Sequence, residues 1–150
     1  MIVAILAALF CGDYNRADYI SASAWNRTRA LVVSAHVTND SIKCLYGGEV
    51  VAPEGADIDH IIPLKYAHEH GMADSSKTWK RKFATDTANL LPVCAHDNRS
   101  KGSKGPSRFM PGMNTCLYAR KWLTLSAKYK LTLDTADSKV VHDTAEACPD

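Results

Sequence analysis

The sequence has no internal repeat and no low-complexity tract, which leaves no basis for a solenoid or a long disordered linker. No apolar run reaches the ~20 residues that a membrane-spanning helix needs; the apolar start, residues 2 to 10, is too short. Cys-x-x-Cys pairs are missing, which argues against a zinc ribbon and against a thioredoxin-like redox motif. No helix-turn-helix or zinc finger is appended, so nothing points to tight reading of base sequence. Net charge is low as well, only +2.

What is present suits one compact domain of 150 residues, with a short extension. The 46% hydrophobic and 23% charged content is ordinary for a soluble globular chain, and this length buries a core without cross-links. The small net charge is unevenly spread. Between Lys77 and Arg108 stand Lys80, Arg81, Lys82, Arg99, Lys101 and Lys104, opposed only by Asp86 and Asp97. Such a block suits a polyanionic partner or a solvated face. Residues 1–12 read either as a signal-like segment, though without a positive n-region, or as a buried apolar strand or helix. Five scattered cysteines fit disulfides in an oxidising compartment, with one left over. Localisation is therefore expected to be secreted or periplasmic, with a phage-encoded intracellular protein as the alternative.

Residues 17–37 read mostly as helix. "IKCLYGGEVVAP" reads as a hairpin around Gly47 and Gly48, and "ADIDHIIPL" as a strand closed by Pro63. "SSKTWKRKFATD" reads as a short helix with Trp79 and Phe83 on one face. "NLLPV" is a second strand. The polar stretch after it opens a helix capped by Asp97 or Asn98. Tyr118, Trp122, Leu125 and Tyr129 form one apolar helical face, and a last helix follows a cap at Asp134 or Thr135. The order predicts an α+β fold with a small antiparallel sheet and flanking helices, not alternating α/β.

"DIDHIIPL" sets two carboxylates and a histidine among Ile58, Ile61, Ile62 and Leu64. Adjacent strand residues point to opposite sides, so Asp59 and His60 can serve different tasks in one cleft. A carboxylate suits a hard divalent cation, which takes oxygen ligands and keeps several waters. Asn98 offers a second, neutral oxygen. Arg99, Lys101 and Lys104 suit the phosphates of a substrate.

"DIDHIIPL", "NLLPV" and "HDNRSKG" together resemble the HNH (ββα-metal, His-Me finger) nucleases. The likeness is greatest to the secreted bacterial and phage branch and its GmrSD-like C-terminal domains. "YNR" (14–16), "TRALV" (28–32), "TWKRKFATD", "NRSKGSKGPS", "FMP" (109–111) and "CLYAR" (116–120) extend it over nearly all of the chain from Tyr14 to Cys148. The resemblance implies a ββα-metal core in an HNH domain over residues 13–150. It implies an Mg²⁺- or Mn²⁺-dependent endonuclease that acts on the DNA phosphate backbone with low sequence specificity and leaves 5′-phosphate ends. His60 would be the general base, Asn89 the residue that orients it, and Asp59 and Asn98 the metal ligands. Arg99, Lys101, Lys104 and Arg81 would bind nucleic acid.

Asp57 is either a support behind the metal ligands or a surface acid. His96 contacts substrate or solvent rather than metal, and His36, His68, His70 and His142 are expected at the surface. Zinc-bearing HNH proteins pair cysteines where this chain has Cys94 and Asp97, so no structural zinc is expected. The branch implies a Cys116–Cys148 disulfide, while Cys44 joins Cys11 or Cys94 or stays reduced. No membrane partner is expected for the mature form. Three other readings stand beside the DNA nuclease: a catalytically inactive nucleic-acid-binding module, a nuclease acting also on RNA, and a metal hydrolase using the region of His68, His70 and His96.

Overall fold

In the computed structural model, which describes residues 12–150, the chain forms six α-helices and two small antiparallel sheets. Helix α1 (Ala22–His36) begins where the Ser21 hydroxyl accepts from the Ala24 N–H. The hairpin follows, with β1 (Ile42–Lys43) against β2 (Val50–Val51). Strand β3 (Ala56–His60) then pairs with β4 (Leu90–Cys94), setting Asp59 opposite Leu91 and His60 opposite Leu90. Between those strands lie α2 (Leu64–Ala67) and α3 (Lys77–Thr85), the latter capped by Ser76. Helix α4 (Ala95–Lys101) continues from β4, and α5 (Thr115–Tyr129) and α6 (Thr135–Glu146) close the fold. The order β3, β4, α4 is the ββα core that the resemblance implies. The signal-like or buried reading of residues 1–12 falls almost wholly outside the described residues.

The main core gathers on α5. Tyr118, Trp122, Leu125 and Tyr129 are all buried, together with Phe83, Ile61, Ile62 and Val93. Burying an aromatic of this size contributes roughly 4–6 kcal/mol before ordering costs. A smaller cluster of Val32, Ile58 and Leu90 packs α1 onto the β3–β4 pair. Each face of β3 therefore meets a different helix: Ile58 and His60 turn toward α1, Asp57 and Asp59 toward α4.

Two boundaries differ from expectation. The first helix starts at Ala22 rather than residue 17, because residues 16–18 form a short 3₁₀ turn first. Helix α4 starts at Ala95, three or four residues before a cap at Asp97 or Asn98 would allow, so both of those side chains lie on the helix itself. Gly102, at φ +52°, ends α4.

Two disulfides are present among the described residues. Cys116–Cys148 joins α5 to the end of α6, as the resemblance implies. Cys44–Cys94 answers the open question of Cys44, tying the hairpin to the first turn of α4.

Candidate functional site

A cleft of about 480 Å³ opens beside the β3–β4–α4 unit. Asp57, Asp59, His60 and Asn98 line it, together with Tyr14, Arg16, Trp25 and Arg29. The chain closes this cleft by bringing the end of β3, the middle of α4 and the start of α1 together.

His60 is 6% exposed and fixed on two sides. Its ring stacks on Trp25 at 5.2 Å and 22°, and Nε2 lies 2.8 Å from the Ala84 carbonyl. A carbonyl only accepts, so Nε2 carries the hydrogen and Nδ1 keeps the lone pair. Burial, with smaller contributions from Arg16 and Lys101, lowers the imidazole pKa to about 4, against the Ala84 carbonyl, which raises it. The ring is neutral near pH 7, with a basic nitrogen that has no partner among the described residues.

Asn89 is fully buried and does not touch the imidazole. Its Oδ1 accepts from the Ile62 N–H at 2.8 Å, and its Nδ2 donates to the Ile62 carbonyl at 3.1 Å. The Ile61 N–H bonds to the Asn89 carbonyl. Asn89 thus holds the chain just beyond His60, and among the described residues it makes no hydrogen bond to the imidazole it was expected to orient.

Asp59 is buried against Lys101 and Tyr46. The Tyr46 hydroxyl donates to Oδ2 at 2.8 Å, and the Lys101 ammonium stands 2.9 Å from Oδ2 and 3.2 Å from Oδ1. Lys101 also donates to the His60 carbonyl at 2.8 Å. Burial raises the Asp59 carboxyl pKa, and Lys101 opposes that rise; burial lowers the Lys101 ammonium, and Asp59 opposes that fall. A carboxylate offers about four lone-pair directions, so these contacts leave Asp59 roughly one.

Asn98 donates through Nδ2 to Asp57 Oδ2 at 2.9 Å rather than sharing a ligand position directly with Asp59. That bond directs the Asn98 amide so that its side-chain oxygen, like the second oxygen of Asp57, has no partner among the described residues. Asp57 is half-buried and lines the cleft. The three side chains present only hard oxygen acceptors toward the cleft, a donor set that fits a small divalent cation keeping waters of its own.

The other expected contacts divide. Lys101 is fully buried on Asp59 and is no surface phosphate ligand; its helix turns it inward. Arg99 is exposed and lines a neighbouring basic groove with Lys65, Lys104 and Arg108. Arg81 is exposed on α3 and does not line the cleft. His96, also outside the cleft, sits 3.4 Å from Glu49 and 3.3 Å from Asp97. Glu49, Cys94 and His96 approach one another, but the Cys94 sulfur is bonded to Cys44 and offers no thiolate.

His68 is not at the surface. It is buried between the Tyr19 hydroxyl (2.9 Å) and the Gly12 carbonyl (2.6 Å), while His70 stacks on Tyr66. His68, His70 and His96 do not gather into a metal-holding group among the described residues. Tyr14, Arg16, Trp25 and Arg29 were passed over as site residues. The only sequence signal for them was their place in "YNR" and "TRALV" or beside it.

The family model describing the C-terminal domain of GmrSD restriction endonucleases matches residues 11–141. A protein of Arthroderma benhamiae described as an uncharacterized secreted protein is 29% identical over 106 residues, covering 68% of this chain and 52% of that relative. The chain thus spans about half the length of the curated relative it matches. No solved structure matches.

Proposed function

The chain belongs to the GmrSD restriction endonuclease C-terminal domain family, and from that premise we propose that it is a divalent-metal-dependent endonuclease hydrolysing DNA phosphodiester bonds with low sequence specificity. A nuclease-family domain implies nucleic acid as substrate, and HNH-type nucleases generally use divalent metals. The observation that carries this reading is His60, whose lone-paired Nδ1 stands in a cleft beside three oxygen-bearing side chains.

Nδ1 takes a proton from a water molecule as the water oxygen bonds to phosphorus and the bond to the 3′ oxygen breaks. The leaving oxygen takes up a proton from solvent, giving 5′-phosphate and 3′-hydroxyl ends. Trp25 and the Ala84 carbonyl fix the plane of the imidazole, so little reorganisation accompanies the transfer. Asn98 and Asp57, with the remaining lone pair of Asp59, would hold Mg²⁺ or Mn²⁺. When bound, the ion neutralises charge on the phosphoryl and leaving oxygens. Arg99 and Lys104 give sequence-independent affinity for the backbone.

Two disulfides and the relative described as secreted support an extracellular or periplasmic site of action. Among the described residues no helix is long and apolar enough to cross a membrane.

The test is plasmid nicking in Mg²⁺, Mn²⁺ or EDTA, with His60→Ala beside the unaltered protein and thermal unfolding as a check on folding. Loss of general-base catalysis is expected to slow cleavage ~10²–10⁴-fold. Undiminished cleavage by folded His60→Ala sinks the assignment. The Lys101 contacts that take most of Asp59's lone pairs favour a second reading, a nucleic-acid-binding domain that does not cut. DNA binding in EDTA with no cleavage under any metal selects it.

A further inference from the structure

Two guanidinium groups line the cleft together with the acidic residues. Arg16 is exposed and makes no ion pair with a carboxylate among the described residues. Its guanidinium carbon lies 5.5 Å from the centroid of the Trp25 ring, the same ring that stacks on His60. Arg29, one helical turn after Trp25 on α1, is anchored through a single N–H to the Ala56 carbonyl at 3.0 Å. A guanidinium has about five N–H donors, so most of those on Arg29 remain unused. Arg29 likewise lacks a carboxylate partner among the described residues.

The balance of charge around the cleft is therefore uneven. Asp59 is already matched by Lys101, so Asp57 is the remaining acid of a cleft that Arg16, Arg29 and Lys65 also line. Two permanently charged, planar forks without counter-ions create a site for a planar or tetrahedral oxyanion. Trp25 stacks on His60 and carries Arg16 against its ring, and all of these side chains line the same cleft as Asp57 and Asn98, so an oxyanion on the arginines would be held beside His60. The electrostatic influence of Arg16 on the His60 ring is a sign of how close the two are.

We propose that Arg16 and Arg29 form a phosphate clamp: they hold a phosphodiester of the nucleic-acid strand in the cleft that the metal-binding oxygens also line. Trp25 is the common support, touching both Arg16 and His60. This inference rests on the nuclease reading for its substrate class, but it concerns binding and is tested by binding. It adds two cations in the cleft to those of the neighbouring groove of Arg99, Lys104 and Arg108.

The experiment measures affinity of the full chain for a fluorescent 20-base-pair DNA duplex by anisotropy, in EDTA, across a series of salt concentrations. Arg16→Ala and Arg29→Ala are each expected to weaken binding and to reduce the slope of log affinity against log salt by about 0.9. Arg16→Lys restores the slope, because it keeps the charge. Arg27→Ala, exposed on α1 and outside the cleft, leaves it unchanged. Unaltered slopes in Arg16→Ala and Arg29→Ala, or an equal fall in Arg27→Ala, overturn the clamp. Arg16 is exposed, so its variant carries the test even where removal of the Arg29 anchor disturbs the fold. Cleavage is scored separately: a chain that binds with the expected slopes yet never cuts retains the clamp and loses the nuclease assignment.

Discussion

Lys101 shows what one buried ammonium does to the neighbourhood of the candidate site. Its Nζ reaches both oxygens of Asp59 and the His60 carbonyl, so it fixes two consecutive residues of β3 from one point on α4. Removing it leaves a buried carboxylate without a counter-charge. Lys101→Met is expected to cost ~3–5 kcal/mol in urea unfolding, with part of that recovered when Asp59→Asn is added. Arg99→Ala, on the exposed side of the same helix, should stay within ~0.5 kcal/mol. Equal losses in the two single variants would defeat this account. The sequence alone presented both as phosphate ligands, since a polar stretch rich in Lys, Arg and Gly has no visible inward face. The opposite orientation of Asp59 and His60 was legible, because alternation along a strand is purely local. Asn89 was legible as important but not in its contacts, which depend on the path of the loop after β3.

Elements with a long periodic pattern were readable and short ones were not. Tyr118, Trp122, Leu125 and Tyr129 follow one helical stripe, and all four are buried. Helix α4 is only a few residues long and has no apolar stripe, so a good capping residue type pointed to the wrong start. What starts α4 is Cys94, held by its disulfide to Cys44 between the hairpin and the ββα unit. The pairing depends on strands remote in sequence and could not be chosen from spacing. Its loop spans 50 residues and that of Cys116–Cys148 spans 32, so the chain-entropy relation assigns each roughly 4 kcal/mol. The two should nevertheless differ in function. Cys44→Ala with Cys94→Ala is expected to lower both the unfolding midpoint and cleavage in the folded range, because α4 carries Asn98 and Lys101. Cys116→Ala with Cys148→Ala should lower the midpoint and spare cleavage. Plasmid nicking well below each midpoint separates them, and a matching loss of activity in both pairs contradicts the local argument.

At the scale of the whole molecule, one carboxylate joins segments that are far apart in the chain. Asp137 on α6 accepts from the Tyr66 hydroxyl of α2 at 2.6 Å, and from the Ser107 N–H (2.8 Å) and hydroxyl (2.6 Å) in the loop before α5. The backbone makes room for it at Gly105, where an added Cβ would stand 2.1 Å from Oδ2 of a side chain too tightly bonded to yield. Burial pushes this carboxyl upward, but the bonds from Ser107 and Tyr66 outweigh it and hold its pKa below the ordinary 3.8. A depressed carboxyl contributes stability that is fully present above the unfolded value and is lost as pH falls through the folded one. Asp86 acts in the same direction: burial opposes the shift, and Lys128 and Tyr129 of α5 bring it about. Asp137→Asn keeps the size of the side chain but puts a donor where an acceptor is needed. It is expected to cost ~1–3 kcal/mol at pH 7. The difference from the unaltered protein should shrink as pH drops below 3.8, since the protonated acid then resembles the amide. Urea unfolding midpoints at pH 7 and in the acid range measure both effects. A difference that stays constant across that range would mean that the Asp137 charge contributes nothing to holding α2, the Ser107 loop and α6 together.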